Sequence, residues 1–165
     1  MSMSQAANQV LLLTVILLMG TLAGYHFGTR DGEKKLKGEP ILHEKPLTAS
    51  MQMALIVRTD LGMTKGKSAA QVGHAALGCY EIAARNAPAY TQQWRKEGQP
   101  KIVLQINSEN GLLELHKKAV DLGLVTRVIQ DAGRTQIEPG SLTVLGIGPS
   151  PISQIDQLTA SLELL

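Results

Sequence analysis

The chain has 165 residues, a length that favours one globular domain with an appendage over two full domains. Its 16 basic and 14 acidic residues are evenly spread and give a net charge of only +2, which excludes a chain-wide attraction to nucleic acid and leaves only a local basic patch for such binding. The single cysteine, Cys79, excludes an intrachain disulfide and a thiolate metal cluster, and is typical of a reducing compartment such as the cytosol.

The first predicted element is an apolar stretch over residues 10–27, which contains no Asp, Glu, Lys or Arg. As a helix it would be about 27 Å long, close to the roughly 30 Å of a membrane's hydrocarbon core. A cleaved signal peptide would need a basic region before the apolar stretch, and the sequence has none. A buried helix is the other alternative. We predict one N-terminal transmembrane helix and assign residues 1–27 to a membrane anchor.

Basic residues follow the apolar stretch and none precedes it: Arg30, Lys34, Lys35 and Lys37. The positive-inside rule therefore places the C-terminal part of the chain on the cytosolic side of the membrane. Residues 28–50 are rich in charge, Gly and Pro and have little apolar periodicity. This composition predicts a flexible charged tether.

Residues 51–165 are predicted to form the globular domain. Short apolar or alternating runs predict strands over 53–59, 101–107, 124–129 and 142–148. Helices are predicted over 67–86, 90–96 and 109–121, the last capped by Ser108, and from Pro151 to the C-terminus. Strands separated by helices indicate an α/β layered domain, and the hairpin-like link between the last two strands favours a mixed sheet.

The segment TDLGMTKGKSAAQVGHAA (59–76) carries the first candidate chemistry. A strand, a glycine-rich turn and a helix N-terminus suit an anion such as phosphate, and Lys65 and Lys67 add positive charge. The phosphate-binding loop of nucleotide hydrolases is excluded because Leu61 stands where that pattern requires glycine.

Helical spacing places Lys67, Gln71 and His74 on one polar stripe of this helix. The opposite face is predicted to be the core face and carries the small residues Ala69, Val72, Ala76, Cys79 and Ala83. Taken alone, Lys67 is equally consistent with a solvated surface lysine, whereas a histidine such as His74 is more often structural and hydrogen-bonded than catalytic.

The second candidate segment is IQDAGRTQIEPGSLTVLGIG (129–148). Asp131 follows a predicted strand, Gly133 permits a sharp turn, and Arg134 and Thr135 come next. Functional groups are common at strand ends, where the sheet fixes their position. The alternative is a simple turn in which the Asp131 side chain binds backbone N–H groups.

Five blocks occur in one order: RTDLGMTKGKSAAQ, HAALGCY, QPKIV, GL followed four residues later by VIQDAGRTQIEPGS, and TVLGIGP. Together they resemble the type 2 peptidyl-tRNA hydrolase family, shared by archaea and eukaryotes, over residues 53–165. The resemblance implies a three-layer α/β/α domain with a mixed four-stranded sheet and usually a homodimer. It also implies hydrolysis of the ester between peptide and tRNA without a metal or organic cofactor.

The resemblance further implies four catalytic residues, namely Lys67, Asp131, Thr135 and Thr143. A carboxylate can orient or deprotonate the attacking water, an ammonium group can stabilise that carboxylate or the oxyanion, and hydroxyls can position water or the ribose. Contacts to the substrate are expected from Lys65, Gln71, His74, Lys101, Arg127 and Arg134.

Two other functions are weighed against hydrolysis of peptidyl-tRNA: a membrane-tethered RNA-binding module without turnover, and a signalling adaptor that recruits protein partners at an organelle surface. The family analogy favours the mitochondrial outer membrane over the endoplasmic reticulum, with residues 10–27 in the membrane. The complete set of four candidate catalytic residues favours an enzyme, because an adaptor would not need them.

Overall fold

The computed structural model describes residues 47–132 and 137–165. The strands are β1 (Met51–Arg58), β2 (Lys101–Ile106), β3 (Thr126–Gln130) and β4 (Leu142–Pro151). The helices are α1 (Lys65–Asn86), α2 (Pro88–Lys96), α3 (Glu109–Asp121) and α4 (Ile152–Thr159). These elements confirm the predicted alternation of strands and helices, with boundaries that differ by a few residues.

The four strands form one mixed sheet in the order β2-β1-β4-β3. β1 is parallel to β2, whereas β4 is antiparallel to both β1 and β3. A parallel pair needs a long crossover, here supplied by α1 and α2, whereas the antiparallel strands β3 and β4 follow each other in the sequence and are joined by residues 131–141. The predicted mixed four-stranded sheet is confirmed.

Both faces of the sheet are covered, because alternate residues of the central strand β1 enter two separate apolar clusters. Met51, Met53, Leu55 and Val57 pack with residues of α1 and α2. Ala54 and Ile56 pack with residues of α3 and α4 on the opposite face. A strand buried on both faces reads as a continuous apolar run, which is the pattern of this segment. The layers are therefore α/β/α.

Local signals explain where the helices begin and end. The Ser108 side chain accepts a hydrogen bond from Gly111 N at 3.2 Å, so the predicted cap of α3 is confirmed. Pro88 occupies the first turn of α2, where its missing N–H costs nothing. The final helix does not reach the C-terminus as predicted: α4 ends at Thr159, and residues 163–165 lie against β2, with Gln105 N donating to Glu163 O and Leu165 N to Val103 O.

The prediction of a transmembrane helix is corrected. Within residues 47–132 and 137–165, no helix is long and apolar enough to cross a membrane. The stretch 10–27, on which the prediction rested, lies outside the described residues, as does most of the predicted tether. The fold is accordingly given as the α/β domain alone. The predicted location at an organelle membrane, with the domain facing the cytosol, depended on that helix and is withdrawn with it.

Candidate functional site

Three strand ends meet at one edge of the sheet. β1 ends where β4 begins, because the two strands are antiparallel, and Val57 lies opposite Val144. β3 ends at the same place, since it is also antiparallel to β4. α1 starts seven residues after β1, so its N-terminus lies over this edge. The topology thus brings together residues that are up to 76 positions apart, from Lys67 to Thr143.

Lys67 and Asp131 form a buried ion pair at this edge. Lys67 Nζ lies 3.0 Å from Asp131 Oδ1, and each side chain is only 7% exposed. Thr64 caps α1 by accepting a hydrogen bond from Lys67 N, which fixes Lys67 in the first turn of the helix. Burying two charges is costly even when they are paired, so such a pair is a poor source of stability. Its position in a cleft is instead typical of a chemically active site.

Gln71 links the carboxylate of Asp131 to the hydroxyl of Thr143. Gln71 Nε2 donates to Asp131 Oδ1 at 2.9 Å, and Thr143 Oγ1 donates to Gln71 Oε1 at 2.9 Å. All three residues are buried. The result is a connected polar network of four side chains, Lys67 included, in which each contact restricts the next.

A β-bulge directs Thr143 towards this network. Ile129 lies opposite Val144, but the next pair is Gln130 with Leu142, so Thr143 is the extra residue of β4. In a bulge the alternation of side chains is broken, and the strand can turn a residue towards the other face. Val144 packs on the face covered by α1, and Thr143 also reaches α1 through Gln71.

Close packing fixes the distance between α1 and β4. A Cβ atom added to Gly146 would lie 2.6 Å from Cys79 Sγ and 3.2 Å from Ala75 O. Only glycine allows the helix to lie this near to the strand. Burial raises the pKa of the Cys79 thiol to about 12, as expected for a thiol held between helix and sheet. Because Gln71 lies one turn before Ala75, this contact also positions Gln71.

Arg58 was missed by the sequence analysis and lies beside the network. It is buried at the end of β1 and donates to Asp60, Glu109 and the carbonyl of Leu142. Its hydrogen bond to Asp60 holds the pKa of that carboxyl below its usual range, against the opposing effect of burial. The contact to Leu142 secures the chain immediately before Thr143. In the sequence, the only sign that Arg58 has a special role is its charge at the end of a predicted buried apolar strand.

A groove of about 930 Å³ opens beside the network, between α1 and β3. One end is lined by Thr64, Lys67, Gln71 and Asp131, and the opposite end by Glu81 and Arg127. Small residues of α1 and the chain from Arg127 to Ala132 form its walls. Its volume falls in the range of ligand-binding clefts, roughly 300–1,000 Å³.

The predicted polar stripe of α1 is partly wrong. The buried residues of α1 are Gln71, Ala75, Cys79 and Ala83, so Gln71 begins the core face instead of opposing it. Ala69, predicted to be in the core, is exposed. Lys67 and Gln71 therefore point towards β3 and β4 and not into solvent, while His74 is exposed and lines the groove.

The remaining predicted contact residues are dispersed. Lys65 is exposed at the start of α1, and Arg127 lines the far end of the groove. Lys101 lies at the opposite end of the sheet from Asp131, because β2 runs parallel to β1 and Lys101 is its first residue. Its ammonium group lies 4.7 Å from the centre of the Trp94 ring. Arg134 and the predicted catalytic Thr135 lie outside the described residues.

Comparison with known proteins identifies the same family as the resemblance of the residue blocks. Residues 51–165 match the family model described as Peptidyl-tRNA hydrolase PTH2. The chain is 54% identical over 130 residues to "Probable peptidyl-tRNA hydrolase 2" of Schizosaccharomyces pombe, covering 78% of this chain and 63% of that protein. It is 52% identical over 113 residues to "Peptidyl-tRNA hydrolase 2, mitochondrial" of Mus musculus, covering 68% and 62%.

An archaeal protein is similar over its full length. The chain is 50% identical over 120 residues to "Peptidyl-tRNA hydrolase" of Sulfolobus acidocaldarius, which covers 70% of this chain and 100% of that protein. By contrast, the chain spans about 63% and 62% of the lengths of the fission yeast and mouse relatives. Only the mouse protein among these three carries a location in its name.

Proposed function

Because the chain belongs to the peptidyl-tRNA hydrolase PTH2 family, we propose that it hydrolyses the ester bond between peptide and tRNA in peptidyl-tRNA. The observation that carries this proposal is the buried Lys67–Asp131 pair at one end of the groove, which is hydrogen-bonded to Gln71 and, through Gln71, to Thr143. The products are free tRNA and a peptide with a new carboxylate. The hydrolase domain is proposed to extend over residues 51–165.

Asp131 is the proposed general base. Ester hydrolysis needs a group that takes a proton from the attacking water, and Asp131 is the carboxylate at the network end of the groove. Lys67 and Gln71 both contact Oδ1, which fixes the orientation of the carboxylate in the site. A base held in one orientation loses little entropy when it takes the proton from the attacking water, which favours the reaction.

Lys67 supplies the positive charge of the site. Its ammonium group stabilises the negative charge of Asp131 and lies at the N-terminus of α1, where the helix dipole adds a partial positive charge. Developing negative charge on the ester oxygen would be stabilised by the same field. Thr143 positions Gln71 by donating to it, and Thr135 is proposed from the family resemblance to bind water or the terminal ribose.

Direct attack by water is proposed, without an acyl-enzyme. Cys79 is a poor nucleophile because burial raises its thiol pKa to about 12, and it faces β4 instead of the groove. A homodimer is proposed from the family resemblance, and light scattering on the purified full-length chain tests it. Binding without turnover remains the second candidate function that the experiment below distinguishes.

The test is release of peptide from N-acetyl-aminoacyl-tRNA and from longer peptidyl-tRNAs by the full chain, with and without EDTA. Asp131→Asn should lower kcat by about a thousandfold or more, since the general base is lost. Asp156→Asn, the same change at an exposed position on α4, is the matched control and should retain turnover. A wild-type chain that binds the substrate and never cleaves it would replace hydrolysis by the binding function.

A further inference from the structure

The strand β3 forms one edge of the sheet. In the part of the chain that the structure describes, β3 pairs with β4 alone. The hydrogen bonds from Gly148 N to Val125 O and from Asp131 N to Ser141 O show which residues face β4. Because backbone groups alternate along an antiparallel strand, Thr126, Val128 and Gln130 direct their N–H and C=O groups away from β4.

The groove follows this edge of β3. Six consecutive residues, from Arg127 to Ala132, line it, and α1 forms the other wall. Because neighbouring residues of a strand direct their side chains to opposite faces of the sheet, a cleft lined by consecutive residues borders the backbone of β3 as well as its side chains. The same groove contains Lys67, Gln71 and Asp131. A ligand that lies along β3 would therefore extend as far as the carboxylate of Asp131.

The charges of the groove do not favour a phosphate backbone. Its described lining has two cations, Lys67 and Arg127, and two carboxylates, Glu81 and Asp131. Lys67 already forms an ion pair with Asp131. Binding of polyphosphate chains depends on an excess of Lys and Arg, which this lining lacks. A neutral polymer with backbone donors and acceptors matches the groove better.

We propose that the peptide part of the substrate lies in this groove as an added strand on the edge of β3. The inference rests on the proposed function. Strand addition uses main-chain hydrogen bonds for affinity, so it accepts many side chains. Such recognition suits peptides that differ in sequence from one substrate molecule to the next.

The position of the ester determines the direction of the added strand. The ester carbonyl belongs to the last residue of the peptide and lies at Asp131, just beyond the carboxyl end of β3. The preceding residues then extend towards Arg127, so the peptide runs parallel to β3. The five residues of β3 span about 16 Å, enough for about four or five peptide residues.

The first test uses the wild-type full chain and a series of peptidyl-tRNAs with one to eight residues of mixed sequence. We expect kcat/KM to rise with peptide length and to level off at about four or five residues. N-methylation of single peptide bonds should lower kcat/KM by about fivefold to tenfold at alternate positions and less at the positions between, because only alternate N–H groups face β3.

The second test changes the edge itself. Val128→Pro removes one outward N–H, and proline is tolerated on an edge strand when that N–H faces away from the neighbouring strand. The expected result is loss of most of the length dependence, measured as the ratio of kcat/KM for a pentapeptidyl substrate to that for N-acetyl-aminoacyl-tRNA. Val128→Ala retains the N–H and changes only the side chain, so its ratio should stay within about twofold of the wild-type ratio.

The outcomes separate this inference from the proposed function. Hydrolysis of every substrate with no dependence on peptide length or N-methyl position overturns the inference and leaves the function intact. Equal loss for N-acetyl-aminoacyl-tRNA and pentapeptidyl-tRNA in Val128→Pro, with no N-methyl pattern in the wild type, would assign the groove to the nucleotide end of the substrate. Absence of hydrolysis for all wild-type reactions would instead contradict the proposed function.

Discussion

Thr143 and Gln71 fix each other's hydrogen-bonding direction. Gln71 Nε2 must face Asp131, because an ionised carboxylate only accepts hydrogen bonds, and this leaves Oε1 to face Thr143. The hydroxyl of Thr143 has one proton and two acceptors within reach, Gln71 Oε1 at 2.9 Å and the carbonyl oxygen of Ile129 at 3.2 Å, and the shorter contact is the one to Gln71. The distance between Thr143 Oγ1 and Gln71 Oε1, 2.9 Å, is typical of such a bond. The orientation of the Gln71 amide thus follows from the carboxylate on one side of it and the hydroxyl on the other.

Replacing Gln71 by Glu should lower kcat/KM strongly. The variant removes the N–H donor and places a second carboxyl group beside Asp131 in a buried position. Loss of a hydrogen bond to a charged group costs about 1.5–3 kcal/mol, which corresponds to roughly 10–100-fold in rate. Gln92→Glu makes the same chemical change on the exposed side of α2 and should leave kcat/KM unchanged. Equal rates in both variants would show that the network does not position Asp131.

Lys67→Met should destabilise the fold as well as abolish catalysis. It leaves the charge of Asp131 buried without its ammonium partner, which typically costs about 3–5 kcal/mol. The double variant Lys67→Met, Asp131→Asn removes both charges and should recover most of the free energy of unfolding but none of the activity. Urea unfolding and single-turnover hydrolysis measure the two quantities. Additive destabilisation in the double variant would contradict an interacting pair.

Gly146→Ala should separate α1 from β4. The new methyl group meets Cys79 Sγ and the backbone oxygen of Ala75, and overpacking of this kind costs about 1–3 kcal/mol. Displacement of α1 also moves Gln71, so kcat/KM should fall by about tenfold or more. Gly73→Ala is the matched control, because no atom outside its own helix lies within 4 Å, and it should stabilise the chain by up to about 1 kcal/mol. Thermal unfolding of both variants provides the comparison.

Asp60 should contribute to the free energy of unfolding at neutral pH but not at strongly acidic pH. The hydrogen bond from Arg58 lowers the pKa of Asp60 in the folded state below the ordinary value of 3.8. A carboxyl group with a lowered pKa stabilises the folded state fully when the pH is above its ordinary pKa. This stabilisation is lost as the pH falls through the folded-state pKa. The urea midpoint of Asp60→Asn should therefore lie below the wild-type midpoint at about pH 6 and approach it at about pH 2. A pH-independent difference would assign the effect to packing.

Sequence patterns predicted the elements better than their mutual placement. Ser108 was recognised as a helix cap because capping depends on a few neighbouring residues. The bulge at Thr143 could not be predicted, since it depends on the register between β3 and β4. The prediction of a polar stripe opposite the core face is wrong for Gln71 for a related reason. Helical spacing tells which residues share a face, but not that a buried face can continue into a polar site.

The site residues show the same division. Lys67 and Asp131 were selected from matched sequence blocks, and the structure brings them within 3.0 Å. The sequence does not reveal Arg58, because only Asp60 among its partners is a near neighbour in the chain, whereas Glu109 and the carbonyl of Leu142 are 51 and 84 residues away. Partners so far apart in the chain leave no local sequence pattern, so they become visible only in the folded structure.

The C-terminal residues give the two edges of the sheet different properties. Residues 163–165 lie against the β2 edge and occupy its outward groups at Val103 and Gln105, whereas β3 keeps an edge beside the groove. Unprotected strand edges are the usual points at which chains associate into aggregates. Removal of residues 163–165 would therefore expose the outward backbone groups of β2, at the sheet edge opposite the groove, and create a new point of self-association.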